Sequence, residues 1–241
     1  GMDADEARSH FWGLGSRGLL REGLRLRDFQ QPWARPASEL KGWKLRQKGH
    51  YQLADVVHNV RPTILIGCSA QAGAFDEKIV REMASYCERP IIMPLSNPTS
   101  KAEAVPADLL EWTDGQALIA TGSPFQPVEY QGTRYRIAQA NNALVFPGIG
   151  LGAITSRASR ISQGMIAAAA TGLAATVNSR VRGASLLPDM SSLRAISARV
   201  ALSVVEAAQN QDLATVELGE NPVQAIYSAM WQPRYPRVIA A

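Results

Sequence analysis

The sequence predicts an α/β protein with a doubly wound, mostly parallel, Rossmann-like sheet and a helical C-terminal segment. Short apolar runs alternate with amphipathic helical stretches over residues 61–122, which is the pattern of successive βαβ units. Each apolar run ends in a turn that is rich in Gly or Ser. After residue 147 the chain becomes rich in Ala and Gly at helical spacing, so the last third is predicted to be mostly helical.

The first sixty residues are less regular than the rest of the chain. Residues 3–9 predict the end of a helix, and residues 10–20 predict a short strand followed by a turn. Residues 21–50 show no clean period and predict loops with short helical turns. Apolar residues at helical spacing then predict one amphipathic helix over residues 51–60.

Three apolar runs predict the parallel strands, and they read "RPTILIGCS", "RPIIMPL" and "ALIATG". The first run is apolar up to Gly67, which indicates a strand that is buried on both faces of the sheet. Asp76 is the expected N-cap of the helix that follows the first strand. Pro106 stands at the expected first turn of the helix that follows the second strand.

The C-terminal third contains three stretches that predict helices, at residues 148–177, 190–211 and 222–231. Ser191 or Ser192 is the expected cap of the second stretch. We therefore expect an incomplete dinucleotide-binding domain over residues 1–146. The helical segment over residues 147–241 is expected to pack on that same domain.

Composition narrows the class of protein. The chain has 241 residues and is 46% apolar, and no apolar run reaches the roughly 18 residues that a membrane span needs. The net charge of +4 comes from basic residues in the first fifty positions. Because no nucleic-acid-binding motif accompanies them, we interpret them as a solvated segment and expect no nucleic-acid partner. Cys68 and Cys87 lack metal-site spacing, which fits a reducing cytoplasm.

The usual catalytic groups are scarce in this sequence. It contains three histidines, and it lacks an HExxH motif, a Gly-x-Ser-x-Gly motif and a close run of acidic residues or histidines that would hold a metal. It also lacks a GxGxxG motif after a predicted strand. The "GIGLG" run at residues 148–152 precedes a predicted helix, where close helix packing explains its glycines at least as well as a phosphate site. No catalytic residue and no metal ligand are therefore predicted.

Small amides and hydroxyls follow the predicted strands instead. Asn97 lies in the turn after the second strand, and Asn141 lies in "AQANNALVFPG". An uncharged amide offers one donor group and one acceptor, which suits the orientation of a small hydroxy acid beside a nicotinamide ring. Asn also closes turns and caps helices. From the residues alone, the two interpretations stay open.

Three motifs resemble one family in their combination and order. They are "LSNPTSKAE", "GSPF" and "QANNALVFPG", at residues 95–103, 122–125 and 139–148. Together they resemble the cofactor-binding domain of malic enzymes, the NAD(P)-dependent decarboxylating malate dehydrogenases, and the bacterial members most closely. The resemblance extends from about residue 9 to about residue 232.

The resemblance implies a reaction and several site residues. The family oxidises L-malate to oxaloacetate with NAD or NADP, and a Mg²⁺ or Mn²⁺ ion then acts as a Lewis acid while carbon dioxide leaves and pyruvate forms. Carried over by motif, Asn97 and Asn141 match the malate-binding amides. Gly67, Cys68 and Ser69 match the turn beside the dinucleotide, which Asn97 also borders.

The sequence departs from the family pattern in what it lacks. The tyrosine acid, the lysine base and two metal carboxylates of the family lie in an N-terminal domain, and the third carboxylate lies just before the cofactor domain. None of those segments, and no Gly-rich pyrophosphate loop, is found in this sequence. We therefore expect an N-terminally truncated fragment of a malic enzyme, which is inactive by itself.

A second departure concerns the cofactor. After the second strand the family often carries an acidic residue, where dinucleotide folds hold the ribose diol of the adenosine. Gly15 stands at that position, and Ser16 and Arg17 follow it. Without the acid nothing repels a 2′-phosphate, and Arg17 could pair with one, so both NAD and NADP are retained. Arg17 as a solvated turn residue is the alternative.

Two other functions compete with malic enzyme. Malolactic enzymes convert malate to lactate and are similar to this chain, but their turn usually departs from the "GSPF" found at residues 122–125. A non-catalytic dinucleotide-binding or dimerising module is the second alternative, because truncation would leave apolar surface that seeks a partner. In each case L-malate or a dinucleotide is the expected ligand, and the family's habit of self-association leads us to expect a homo-oligomer.

Overall fold

The computed structural model describes residues 2–47 and 49–232. The chain divides into two compact units. The first contains the described residues up to Ser123 together with Pro127–Arg134, and the second contains Pro124–Gln126 together with the described residues from Tyr135 onward. The domain boundary between residues 146 and 147 stays a prediction, because compactness alone does not show which segment folds independently.

The first unit opens with short elements joined by irregular chain. Helix α1 (Ala4–Ser9) is capped by Asp3, whose carboxylate accepts hydrogen bonds from the Asp5 and Glu6 amides at 2.9 and 2.8 Å. Strands β1 (Leu14–Gly15) and β2 (Gly18–Leu19) pair as an antiparallel hairpin. Among the described residues up to position 50, a 3₁₀ helix (Asp28–Trp33) is the longest regular element after them, as the lack of periodicity predicted.

A parallel sheet forms the centre of the first unit. Its strands lie in the order β3 (Ile64–Gly67), β4 (Ile91–Pro94) and β5 (Leu118–Thr121), and both pairings are parallel. The helices that alternate with these strands are α2 (Leu53–Val60), α3 (Glu77–Tyr86) and α4 (Pro106–Trp112). This alternation confirms the predicted α/β class.

The helix starts in this unit follow the sequence closely. The Asp76 carboxylate caps α3 by accepting a hydrogen bond from the Ile79 amide at 2.9 Å. Pro106 occupies the first position of α4, where its missing N–H costs no helical hydrogen bond. On α3, Val80 and Met83 are fully buried, so the predicted apolar stripe is the packed face of the helix.

The prediction that β3 is buried on both faces is wrong. Leu65 is buried, whereas Ile64 and Ile66 are 50% and 57% exposed. Successive side chains of a strand point to opposite faces of the sheet, so one face of β3 is packed and the other is open. Among the three parallel strands β3 lies at the edge and pairs with β4.

A second hairpin was not predicted. Strands β6 (Val128–Tyr130) and β7 (Thr133–Tyr135) are joined by a two-residue turn at Gln131 and Gly132. Both turn residues have positive φ, at 48° and 72°, as a two-residue hairpin of this hand requires. Gln is an unusual residue for such a position, which is why the turn is inconspicuous in the sequence.

The second unit is mostly helical, as predicted. It contains the short strand β8 (Ala138–Gln139), followed by α5 (Phe146–Thr155), α6 (Gln163–Ala174), α7 (Leu193–Asn210) and α8 (Pro222–Ala229). The predicted 148–177 stretch is thus two helices, and Arg157 adopts a positive φ of 47° between them. Ser192 precedes α7 at the expected cap position, but its side chain makes no capping hydrogen bond.

Helix α7 carries the core of the second unit. Val200 and Val204 are fully buried on it and belong to one cluster with Leu144 and Met165. The cluster is formed where α5 and α6 pack against α7. Within the part of the chain that the structure describes, no helix has the length and apolar character to cross a membrane.

Candidate functional site

Three turns meet at one edge of the parallel sheet. They follow β3, β4 and β5, and the carboxyl ends of parallel strands lie on the same side of a sheet, where ligands of open α/β folds bind. Backbone hydrogen bonds tie the turns together. The Leu95 amide donates to the Gly67 carbonyl at 2.8 Å, and the Gly122 amide donates to the Pro94 carbonyl at 3.2 Å.

A buried carboxylate joins the first two turns. Glu103 is fully buried. Its Oε1 accepts hydrogen bonds from the Ser69 amide at 2.7 Å, the Ser69 hydroxyl at 3.0 Å and the Ser96 hydroxyl at 2.6 Å. Its Oε2 accepts a longer hydrogen bond from the Ser96 amide at 3.3 Å. One side chain therefore sets the spacing between the turn after β3 and the turn after β4.

These hydrogen bonds decide the charge state of Glu103. Burial by itself would raise the pKa of the carboxyl, because it disfavours the charged form. The hydrogen bonds from Ser96 and Ser69 oppose burial and together outweigh it, so the pKa of Glu103 lies below its ordinary value. The buried carboxylate is therefore charged at neutral pH.

Gly67 is required beneath this network. A Cβ atom at Gly67 would lie 2.6 Å from Phe75 and 2.7 Å from the Glu103 carboxyl carbon. Both distances are shorter than real Cβ contacts. The absence of a side chain at the end of β3 thus makes room for the buried carboxylate, and the glycine has a packing reason that is independent of any ligand.

Asn97 projects from the second turn with its amide held in one orientation. Its Oδ1 accepts a hydrogen bond from the Ser123 hydroxyl at 2.5 Å, and its Nδ2 lies 3.5 Å from the Leu95 carbonyl oxygen. The residue is exposed. Because the Ser123 hydroxyl donates to the amide oxygen, the Nδ2 group is the part of the amide that can donate to an incoming acceptor.

The third turn approaches Asn97 very closely. A Cβ atom at Gly122 would lie 2.0 Å from the Leu95 carbonyl oxygen and 3.1 Å from Asn97 Nδ2. Only glycine fits that position without a shift of the backbone. The "GSPF" motif thus contributes a glycine that permits the approach and a serine that orients the amide.

The predicted cofactor turn is only partly free to contact a ligand. Cys68 and Ser69 are exposed, whereas Gly67 is buried. The amide and the hydroxyl of Ser69 are both engaged by Glu103. Cys68 therefore offers the accessible side chain of this turn. Ser69 is held in place by its hydrogen bonds to the buried Glu103 carboxylate.

Asn141 belongs to the second unit and caps a helical turn there. Its Oδ1 accepts a hydrogen bond from the Ala143 amide at 2.9 Å at the start of the 3₁₀ helix Asn142–Leu144. The residue is exposed. The side-chain oxygen of Asn141 therefore acts as a helix cap, as one of the two interpretations proposed. Its amide nitrogen is the group that a ligand could use.

Gly15 and Arg17 line a cavity in the hairpin region. Gly15 ends β1, and Arg17 follows in the turn before β2. The cavity has a volume of about 410 Å³. The Arg17 guanidinium donates a hydrogen bond to the Arg25 backbone carbonyl, so this side chain is anchored to the opposite wall. The resemblance implies an acidic residue at position 15, and this chain has glycine there, so no side chain occupies that place.

The residues that the structure describes bring together no group of three or more His, Cys, Asp or Glu side chains that could hold a metal ion. The donors at the strand ends are amides and hydroxyls, which suit an uncharged or anionic organic ligand better than a divalent cation. The exposed Cys68 turn has the short side chains that a dinucleotide backbone can approach.

Two positioning residues were missed by sequence reasoning. Glu103 is the last residue of the "LSNPTSKAE" motif and its one carboxylate. A single acidic residue among small polar residues is the feature of the sequence that could have indicated its role. Ser123 is the serine of the "GSPF" motif, but its hydrogen bond to Asn97 depends on the pairing of β4 with β5. No local pattern shows that contact.

Comparison with known proteins identifies the family. The family model described as malic enzyme, NAD binding domain, matches residues 1–209. NAD-dependent malic enzyme 3 of Bacillus subtilis is 48% identical over 242 residues, covering 100% of this chain and 43% of the relative. The NAD-dependent malic enzyme of Edwardsiella ictaluri is 48% identical over 237 residues, covering 98% of this chain and 42% of the relative.

Solved structures agree in fold. The malic enzyme of Pyrococcus horikoshii superposes with a TM-score of 0.64 at 23% identity, over 88% of this chain and 43% of the other. The malic enzyme of Entamoeba histolytica gives the same TM-score and identity over 89% and 40%. The chain spans less than half the length of the curated relatives it matches. With a family model matched over most of its length, this chain belongs to the malic enzyme NAD-binding domain family.

Proposed function

We propose that this chain supplies the dinucleotide-binding half of an enzyme that oxidatively decarboxylates L-malate to pyruvate with NAD or NADP. The single observation that carries the proposal is the Asn97 amide, which the Ser123 hydroxyl holds at 2.5 Å at the carboxyl edge of the parallel sheet. An oriented, exposed, uncharged donor at this edge suits the carboxylate or hydroxyl of a small hydroxy acid.

The roles of the chain's own residues follow from their contacts. Asn97 donates from Nδ2 to a malate oxygen. Asn141, taken by itself in the second unit, has an amide nitrogen of the same kind that suits an oxygen of malate. Glu103 holds the turns after β3 and β4 at a constant spacing. Cys68 borders the dinucleotide on the exposed side of its turn. The dinucleotide, when bound, accepts the hydride from malate.

The divalent cation of the family is assigned no ligand in this chain. The part of the chain that the structure describes holds no cluster suited to it, so the residues named above act by binding and orientation. Asn97 and Asn141 do not titrate near neutral pH. The proton transfers of the reaction therefore need groups other than these amides.

We further propose a cytoplasmic, self-associating protein. Cys68 and Cys87 are both free thiols, which fits a reducing compartment. The open face of β3, with Ile64 and Ile66 more than half exposed, is apolar surface of the kind that partners cover.

A hybrid enzyme tests the proposed reaction. The matching part of Bacillus subtilis NAD-dependent malic enzyme 3 would be replaced by this chain, and dinucleotide reduction and pyruvate would be measured with malate and Mn²⁺. We expect activity, and we expect Asn97→Ala to lower kcat/KM for malate by on the order of 100-fold, because the substrate loses its orientation. Ser123→Ala should cost roughly tenfold.

The control variant is Ser100→Ala, an exposed position in the same turn, which should leave kcat/KM unchanged. Unaltered activity in the Asn97→Ala hybrid would contradict the assigned role. Lactate as the product, without net reduction of the dinucleotide, would favour the malolactic alternative instead.

A further inference from the structure

Helix α7 of the second unit has one exposed side. Ala195, Arg199 and Glu206 are exposed, and Leu202 is half-buried between the two charged residues. Because a helix turns by about 100° per residue, these four positions lie on the same side of α7, whereas the fully buried Val200 lies on another side. The four residues form the α7 face, which carries a positive charge, an apolar side chain and a negative charge in that order along the helix.

The two charges of the α7 face are not spaced as a pair that stabilises one helix. Such pairs are three or four residues apart, whereas Arg199 and Glu206 are seven residues apart. At about 1.5 Å per residue, that spacing separates their backbones by roughly 10 Å along the helix axis. Each charge is therefore free to attract a charge on another molecule.

The same spacing makes the α7 face complementary to itself. When two copies of α7 pack antiparallel about a two-fold axis that passes near Leu202 and Ser203, Arg199 of each copy lies opposite Glu206 of the other. The reason is that the two residues lie equally far from that axis along the helix, on opposite sides of it. A parallel pair would instead place each charge opposite a like charge, which repels. The charges thus favour the antiparallel arrangement.

Helix α8 adds apolar surface beside the α7 face. It packs against α7, and its Ile226 is buried in a cluster with Val205 of α7. Val223 and Tyr227 lie one turn apart on α8 and are 48% and 38% exposed. The two-fold axis places both copies of α8 on the same side of the α7 pair. Because a stable interface buries about 800 Å² on each partner, the tyrosine and valine extend the α7 face toward the required size.

We infer that two copies of this chain associate through the α7 face, with Arg199 of each copy paired to Glu206 of the other. A second copy is the occupant that the charge pattern selects, because the face carries both halves of its own complement. The inference rests on the self-association proposed above and assigns a surface to it. This surface lies in the second unit and is distinct from the open face of β3.

Charge reversal tests the assigned surface. The dissociation constant of the dimer would be measured by sedimentation velocity of the 241-residue chain at low ionic strength. Arg199→Glu places two carboxylates opposite each other at both contacts, and Glu206→Arg places two guanidinium groups there. We expect each variant to raise the dissociation constant at least tenfold, because two attractions become two repulsions. The double variant Arg199→Glu/Glu206→Arg should restore it, because both pairs re-form with their charges exchanged.

Mixing the two single variants gives the most specific result. In a dimer that contains one chain of each, the new glutamate of the first faces the new arginine of the second, and the native Glu206 of the first faces the native Arg199 of the second. We therefore expect the mixture to dimerise with the native dissociation constant, although each variant alone does not. A structural defect in either variant would not be repaired by mixing.

The matched control is Arg180→Glu, which makes the same change in net charge at an exposed position outside α7 and α8. It should leave the dissociation constant unchanged, and unaltered thermal melts should show that every variant is folded. Failure of the mixture to dimerise, or an equal loss in the Arg180→Glu control, would overturn the inference.

The outcomes separate this inference from the proposed function. A dimer that is insensitive to both charge reversals would overturn the assigned surface while self-association stands. A native chain that stays monomeric at every concentration would contradict self-association itself, together with its surface. Pyruvate formation by the hybrid enzyme judges the proposed reaction independently of either result.

Discussion

Glu103 shows how one buried residue organises the edge of the sheet. It is a carboxylate without a basic partner among its described contacts, and it is stabilised by donors from Ser69 and Ser96. A buried charge is tolerated when hydrogen bonds satisfy its lone pairs. The hydroxyl at Ser96 is thereby explained as support for Glu103 and for the Ala70 amide, which donates to it at 2.8 Å.

Replacing this carboxylate should destabilise the chain. Glu103→Gln places an amide N–H₂ among groups that donate, so at least one hydrogen bond is lost in a buried site. We expect a loss of about 1–3 kcal/mol in the free energy of unfolding at pH 7, measured by urea denaturation. Glu88→Gln, an exposed position, should change it by less than about 0.5 kcal/mol.

The same residue should make stability depend on acidic pH. Its folded pKa lies below the ordinary value of 4.5, so the unfolded state binds its proton first as pH falls. The stabilisation is therefore complete above the ordinary value and is lost as pH falls through the folded pKa. The native chain should lose more stability than Glu103→Gln between pH 5 and pH 3, and parallel pH profiles would contradict this.

At the scale of elements, the three glycines of α5 differ in whether they lie against another helix. A Cβ at Gly148 would lie 2.5 Å from Val200 Cβ, and one at Gly152 would lie 2.7 Å from Val204 Cβ. A Cβ at Gly150 would meet nothing within 4 Å. The first two glycines let α5 approach α7, which is the packing role that the sequence had left open.

Alanine substitutions along this single helix should therefore have opposite signs. Gly148→Ala forces α5 and α7 apart and should destabilise the protein by about 1–3 kcal/mol. Gly150→Ala meets no neighbour and should stabilise it by roughly 0.5–1 kcal/mol, because alanine favours the helix. Thermal unfolding of the two variants measures both effects, and a loss of stability in Gly150→Ala would contradict the assigned geometry.

The elements themselves were largely predictable because their signals are local. Asp76 and Pro106 mark helix starts through capping chemistry, and the apolar stripe of α3 follows from periodicity. Which faces of β3 are covered is not a local property, since it depends on what packs beside Ile64 and Ile66. The β6–β7 hairpin was not predicted, because Gln131 adopts a positive φ and Gln is not a residue type that indicates this conformation.

At the scale of the whole molecule, the 241-residue chain should not by itself oxidise malate. Apart from the Cys68 thiol, the exposed groups described at the carboxyl edge are amides and hydroxyls, which orient a substrate but do not exchange protons near pH 7. The Glu103 carboxylate is buried beneath them and is engaged by Ser69 and Ser96. We expect no NADH or NADPH above a protein-free control with malate and Mg²⁺ or Mn²⁺. Dinucleotide reduction that depends on this chain and is lost in Asn97→Ala would contradict that expectation.

The sequence alone determined the α/β class, the order of the elements and the family, because periodicity, caps and three ordered motifs are properties of neighbouring residues. Only the tertiary structure decided how Asn97 is held, since Ser123 reaches it across two paired strands. It also showed that Glu103 is buried between two turns and that Arg25 and Arg27 share a cavity with Arg17. Contacts between residues distant in sequence depend on strand register and turn geometry, which no local pattern contains.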